Sequence, residues 1–287
     1  MAKLVLATCQ FPVHEDPRRN LGFATRQIAA ARARGAHLVH FSEACISGYL
    51  GVEVTAHDAA DWERITAAME EVTAAARRHR VWVVVGCNHR LSGRHKPHNS
   101  LYVIDTRGRI VSRYDKMFCT GGAGGKDGDL ASYSPGEALI TFRARGLTCG
   151  LLICHDFRYP ELFREYKRKG VDLMLVSFHN AGGRKEARDK YRITVPATLQ
   201  AAAASNYYAV SANNGTRRYA WPSFVVNAEG LIVNRAPSHR PAVLITEIDT
   251  AKKLYDASVD WRDRCMRGVF HSGRLVRDAR SRDRGIL

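Results

Sequence analysis

Short apolar runs rich in strand formers alternate with helical stretches along most of this chain, and that alternation constrains its fold more than any other feature. Residues 3–11 form the first such run. Asp16-Pro17 then supplies an N-cap and a proline at the first helical position, which predicts a helix reaching about Gly35. Residues 38–41 are the next short strand, ending on Ser42-Glu43. Within residues 61–80, Ile65, Met69, Val72 and Ala76 recur at spacings of three and four, the apolar stripe of a second helix. Residues 81–87 are nearly continuously apolar, as in a strand covered on both faces.

The pattern continues to about residue 250. Residues 101–105 and 109–114 flank Thr106-Arg107-Gly108 as a hairpin, and 147–154 form a strand. Pro160-Glu161 opens a helix reaching about Gly170, and 171–178 form another strand. A helix containing residues 199–206 leads into a strand at 207–212. Residues 223–227 and 231–234 pair around Ala228-Glu229-Gly230, and 242–248 form the last clear strand. The result is an α/β class in which helices cover a sheet. Adjacent strands joined by tight turns mean that the sheet cannot be all parallel. We expect one domain over residues 1–260 and a basic C-terminal tail over 261–287.

Composition narrows the classes. A chain of 287 residues with 45% hydrophobic residues can bury a sizeable core. No internal period points to a repeat architecture. The first apolar run is short and broken by Gln10 and Pro12, unlike a signal peptide, and no stretch approaches the roughly 20 apolar residues of a bilayer span. A soluble, cytoplasmic protein without a membrane partner is expected. The seven cysteines, Cys9, Cys45, Cys87, Cys119, Cys149, Cys154 and Cys265, are scattered and include no Cys-x-x-Cys pair, which argues against a zinc ribbon or thioredoxin-like motif. Most lie in apolar surroundings as buried, inert thiols. The net charge of +16, densest in the Arg-rich stretch 262–284, reads as solvated surface charge. No nucleic-acid-binding module accompanies it, so no nucleic-acid partner is expected. Residues 117–136 are irregular and rich in glycine, but the glycines do not match a phosphate-cradling loop.

Three polar residues stand just past the ends of apolar strands: Glu43, Lys116 and Cys154. Strand ends are where α/β folds build sites. A free cysteine is mostly protonated at neutral pH, while its thiolate is a strong nucleophile. A carboxylate can take the thiol proton, and an ammonium can lower the thiol pKa and stabilise a developing oxyanion. Cysteine, glutamate and lysine together therefore make a complete acyl-transfer set without histidine.

These residues sit in segments that resemble the nitrilase superfamily, the carbon–nitrogen hydrolases, over nearly the whole chain. Phe41-Ser42-Glu43-Ala44-Cys45-Ile46-Ser47-Gly48-Tyr49 is similar to the segment holding the base. Asn99-Ser100 and Tyr114-Asp115-Lys116 resemble the segment holding the lysine. Gly150 to Leu162, with Cys154-His155-Asp156-Phe157-Arg158-Tyr159-Pro160-Glu161, resembles the nucleophile segment. The resemblance implies a four-layer α-β-β-α sandwich of the nitrilase type, association into a homodimer or higher homo-oligomer, and no metal or organic cofactor. It also implies that the backbone N–H of His155 joins Lys116 in an oxyanion hole.

There are departures from the family pattern. Family amidases often carry a second glutamate shortly before an x-Pro-Gly turn. Here the turn is Ser134-Pro135-Gly136 and the matching acid is Asp129, one methylene shorter, with Glu137 a weaker candidate after the turn. His155 stands where the family often has tyrosine or tryptophan. It could titrate near neutral pH or simply pack beside the site. The nucleophile segment is closer to the amidase and carbamoylase branches than to true nitrilases. We therefore expect hydrolysis of an amide or N-carbamoyl small molecule through a thioester acyl-enzyme. Nitrile hydrolysis and a catalytically idle nitrilase-fold interaction protein are the alternatives. His179 and Asn180, in the loop after the next strand, are expected to contact substrate. Arg184 or Lys185 could pair with a substrate carboxylate, and Arg158 and Glu161 are expected to hold the loop together and need not touch substrate.

Overall fold

The computed structural model describes residues 2–56, 60–179, 185–215 and 221–285. One six-stranded sheet contains β1 (Lys3–Gln10), β2 (Leu38–His40), β3 (Trp82–His89), β4 (His98–Ile104), β5 (Ile110–Asp115) and β12 (Ala242–Asp249), in the order β12-β1-β2-β3-β4-β5. The other contains β6 (Thr141–Ala144), β7 (Leu147–Ile153), β8 (Leu173–Phe178), β9 (Ala209–Asn214), β10 (Phe224–Val226) and β11 (Ile232–Arg235), in the order β11-β10-β9-β8-β7-β6. Both sheets are mixed and share one plan. A parallel trio, β1-β2-β3 or β7-β8-β9, is flanked by antiparallel strands.

Alternation along the strands sorts side chains between two cores. Val84, Leu4, Leu6, Leu101 and Val103 point from the first sheet toward Leu151, Leu173 and Leu175 of the second. Val83, Val85, Cys87 and Cys9 point the other way, against Ile28, Ile65, Met69 and Val72. Those last four belong to α1 (Pro17–Ala33) and α2 (Trp62–His79), the outer layer over the first sheet. On the second sheet, α3 (Pro160–Arg168) and α4 (Lys185–Asn206) provide the matching layer through Leu162, Phe163, Leu199 and Ala203. The four layers are the expected α-β-β-α sandwich. Asp16 and Asp61 cap α1 and α2 by accepting from the N–H groups of Arg18 and Arg64.

Three local features differ from the sequence expectations. β6 is a short edge strand with exposed Thr141 and Arg143 alternating with buried Phe142 and Ala144, and it carried too little apolar signal to stand out. β4 begins at His98, before its apolar residues start. α4 begins at Lys185, far ahead of the stretch read as helical, and runs through Pro196, whose ring removes one backbone donor and interrupts the helical pattern.

The chain divides into two compact units, residues 1–254 and 255–287. The sandwich occupies the first. The second contains two short helices, α5 (Arg262–Met266) and α6 (Ala279–Arg282). Within it Arg262 pairs with Asp256, and the Arg264 guanidinium lies 5.7 Å from the centre of the Trp261 ring. No helix among the described residues is long and apolar enough to cross a membrane.

Candidate active site

Glu43 follows β2 and is fully buried. Its segment lies directly on β3, where Gly86 makes room for it. A Cβ at residue 86 would sit 2.2 Å from the Ser42 carbonyl oxygen and 2.5 Å from the Ala44 nitrogen, so only glycine fits there. Lys116 follows β5, its N–H donating to the Asn99 carbonyl at 2.9 Å. Its side chain is also buried. An ammonium has three protons to donate. Nζ lies 2.8 Å from Glu43 Oε1, 2.7 Å from Asp129 Oδ2 and 3.4 Å from the Tyr49 hydroxyl, so all three are engaged.

The two acids are held from other sides as well. Glu43 Oε1 also accepts from Asn99 Nδ2 at 2.7 Å, and Oε2 accepts the N–H of His179 at 2.7 Å. Asp129 lies in a short 3-10 helix, Gly128–Ala131, and accepts the Thr120 N–H at 3.0 Å and the Tyr49 hydroxyl. The shorter acid at position 129 thus reaches the lysine directly, while Glu137 is exposed. Asn99 and Tyr49 belong to the motif segments but carried no expected role in the site. Their signal is a fully buried polar side chain within a strand and a buried tyrosine hydroxyl, neither of which is visible without burial.

Cys154 directly follows β7 and opens a single 3-10 turn, Cys154–Arg158. Its φ is +45°, a left-handed conformation that costs a non-glycine residue energy and lifts the side chain out of the strand direction. The sequence suggested that Lys116 would lower the thiol pKa. The net direction is the opposite. Burial pushes it up, the Glu43 charge adds to that, and Lys116 opposes both without prevailing. Burial is the largest cause, and Lys116 does not offset it because it already faces Glu43 and Asp129, so that a thiolate would add a third anion. The same balance holds Lys116 well above the usual lysine range, because Glu43, Tyr49 and the other groups around it outweigh burial. For Asp129, burial is outweighed by Lys116, and its carboxyl falls below the usual range.

Cys154, Lys116 and Asp129 line a cavity of about 410 Å³ whose remaining wall includes His155, Arg158, Tyr191 and Trp221. That is the size of a small-molecule site. His155 is half-buried, and its pKa is lowered by burial, then by Lys116 and Arg158, so the ring is neutral at neutral pH. Arg158, expected to hold the loop together, is exposed and lines the cavity. Its guanidinium lies 5.2 Å from the ring centres of both Phe157 and Tyr191, and it forms no ion pair among the described residues. Glu161 is exposed in the first turn of α3. The His179 side chain is buried away from the cavity wall, 2.8 Å from Glu53 through Nε2 and against the Tyr49 ring at 4.6 Å. Asn180 and Arg184 lie outside the described residues, as does the Lys185 side chain. Among the described residues no group of three or more His, Cys, Asp or Glu side chains is placed to hold a metal ion.

A family model described as carbon-nitrogen hydrolase matches residues 5–253. The chain belongs to the carbon–nitrogen hydrolase family. Among curated relatives, a deaminated glutathione amidase of Yersinia enterocolitica is 28% identical over 177 residues, 58% of this chain and 61% of that protein. An (R)-stereoselective amidase of Pseudomonas sp is 28% identical over 165 residues, 58% of this chain and 56% of its own length. A formamidase of Pseudomonas syringae pv. tomato is 32% identical over 124 residues, 42% of this chain but only 33% of the relative. The chain shares its fold with a nitrilase-superfamily amidase from Nesterenkonia AN1, with a TM-score of 0.74, 22% identity and coverage of 93% of this chain and 97% of the other. One variant of that amidase carries the acetamide moiety of fluoroacetamide on its active-site cysteine.

Proposed function

We propose that this enzyme hydrolyses the C–N bond of a small amide or N-carbamoyl compound, with Cys154 as nucleophile, Glu43 as general base and Lys116 as oxyanion donor. The observation that carries this reading is the convergence of Glu43, Lys116, Asp129 and Cys154 on one cluster, with the Lys116 ammonium within hydrogen-bond distance of both carboxylates and with Cys154, Lys116 and Asp129 in the wall of one cavity.

The electrostatics suggest why the base is needed. A free thiolate would add net negative charge to a buried cluster, whereas proton transfer from Cys154 to Glu43 only moves a charge within it. Attack of sulfur on the carbonyl carbon then breaks the C=O π bond and forms a tetrahedral oxyanion. Neutralising Glu43 loosens its hold on the Lys116 ammonium, which can turn to the oxyanion together with the His155 N–H. Asp129 keeps its charge and holds the ammonium in place throughout. Glu43 returns its proton to the leaving nitrogen, ammonia or an amine departs, and a thioester remains on Cys154. Water, deprotonated by Glu43, hydrolyses the thioester and restores the thiol. The Arg158 guanidinium, exposed at the cavity and without an acidic partner among the described residues, favours substrates that carry an anionic group.

The test is ammonia release from primary amides, N-carbamoyl amines, N-carbamoyl amino acids and nitriles, with the wild type beside Cys154→Ala. Activity on amides or carbamoyl compounds that disappears in the variant supports the reading. Turnover of nitriles alone replaces the substrate class, and equal release by both proteins removes Cys154 from the chemistry.

A further inference from the structure

Resting on that reading, a second question is what fixes the distance between the nucleophile and the oxyanion donor. Cys154 and Lys116 come from different sheets, and the strands that carry them, β7 and β5, are not hydrogen-bonded to each other. One side chain spans the gap. Asp156 is fully buried; its Oδ1 accepts the Phe118 N–H at 2.8 Å, and its Oδ2 accepts the Tyr114 hydroxyl at 2.8 Å and the Ile153 N–H at 3.0 Å. Tyr114 and Phe118 flank Lys116 on either side, and Ile153 immediately precedes Cys154. The carboxylate therefore grips both reacting segments next to their functional residues. It does so without lining the cavity.

We propose that Asp156 is a positioning residue, whose carboxylate ties the Lys116 segment to the left-handed Cys154 turn and so sets the geometry between nucleophile and oxyanion donor. Three neutral donors on two oxygens orient it without a bound cation, so the clamp is directional rather than merely attractive. Its effect is transmitted through the backbone at 153 and 118 and through the Tyr114 ring, which is itself fully buried.

A carboxylate that must stay ionised to accept three hydrogen bonds gives the clamp a signature. Burial pushes the Asp156 carboxyl up to about 6, against the N–H groups of Phe118 and Ile153 and the Tyr114 hydroxyl, which pull it down. The titratable groups facing it are Tyr114 and Lys116 at the end of β5, Cys119 in the loop beyond, and Tyr166 of α3. Protonation blocks one acceptor oxygen and releases part of the clamp.

The experiment compares wild type, Asp156→Asn and Tyr114→Phe for kcat, KM, thermal melting and the rate at which iodoacetamide alkylates Cys154. In Asp156→Asn, kcat and the alkylation rate per folded molecule should fall about 10²-fold, the scale of a small misplacement of reacting groups, with KM near the wild-type value. Tyr114→Phe, which removes one of three donors, should lose about 10-fold in both rates. As pH falls through about 6 the wild-type alkylation rate should drop more steeply than loss of thiolate alone dictates, and this extra step should be absent in Asp156→Asn. Wild-type rates in Tyr114→Phe and Asp156→Asn overturn the proposal. So does a loss that vanishes once corrected for the folded fraction, or a pH step that persists in Asp156→Asn. Should the wild type turn over no amide, the functional reading fails, while the alkylation rates still decide the role of Asp156.

Discussion

The two sheets meet through polar groups in two neighbouring places, and the contrast between them is instructive. At the first, His40 sits fully buried between the sheets, its ring nitrogens 2.9 Å from Ser211 Oγ and 2.8 Å from Ser177 Oγ. Thr8 extends this chain to Ser211 at 2.7 Å, and Asn213 Nδ2 donates across to the Cys9 and His40 carbonyls. Every member is uncharged. At the second, a few residues along the same stretch of chain, Glu43 joins Lys116 and Asp129 in a cluster of full charges. Both regions satisfy buried polar groups. The neutral one aligns the sheets and has nothing to transfer, whereas the charged one keeps a proton within reach of a thiol. Burial alone therefore does not make a site, as Cys9, Cys45 and Cys149 illustrate. Their thiols too are pushed up by burial, with the Asp172 charge adding to it at Cys149, but among the described residues none of them faces both a carboxylate and an ammonium as Cys154 does.

The comparison can be broken by substitution. The largest effect should come from Cys154→Ala, with loss of measurable amide turnover and an unchanged melting temperature; residual turnover in a product-release assay would assign the nucleophile elsewhere. Next, Glu43→Gln should lower kcat by roughly 10²–10⁴-fold, the range for loss of a general base. Lys116→Met should combine a kcat loss of about 10²–10³-fold with a stability loss of about 3–5 kcal/mol, because it strands two buried carboxylates. Steady-state kinetics alongside urea unfolding separates the two effects.

The neutral region should respond in stability instead. Burial lowers the His40 pKa to about 3, well below that of an unfolded histidine, so the native state excludes a proton that the unfolded chain takes up. This contribution is complete above about pH 6.5 and is lost toward the folded value, at about 1.4 kcal/mol per pH unit. Asp156 acts with the opposite sign between about 6 and the ordinary aspartate range, since its raised pKa favours the protonated native state as pH falls. Urea midpoints at successive pH values, compared between wild type and His40→Gln, isolate the histidine. An identical pH slope in both would refute its part. The smallest effect belongs to the cavity rim, where Arg158→Gln should raise KM for anionic amides about 10-fold, the scale of one charged hydrogen bond, and leave neutral amides unchanged in competition assays.

Much of this was legible in the sequence. The strands buried on both faces, β3, β7 and β8, read as apolar runs, and the polar residues that terminate such runs include Glu43 and Cys154. Asp129 could be named only through the resemblance to family amidases that carry a second acid before an x-Pro-Gly turn. What the sequence could not reveal depends on where side chains meet. The direction of the Cys154 pKa is a sum over three charges from distant segments. Asn99 and Arg158 fall within motif segments, but that the Asn99 amide donates to Glu43 and the Arg158 guanidinium borders the cavity depends on the fold. His179 illustrates the converse. Its position after β8 suggested a substrate contact, but it is the backbone N–H that faces Glu43, while the ring turns to Glu53.

The left-handed backbone at Cys154 also restricts which atoms evolution or engineering could try there. A side chain branched at Cβ is severely disfavoured at positive φ, so threonine and valine are excluded by conformation before chemistry is considered. Serine fits the same turn. Of the three thiol and hydroxyl side chains of this size, the turn therefore admits the two without a branch, sulfur or a primary hydroxyl, before any substrate arrives.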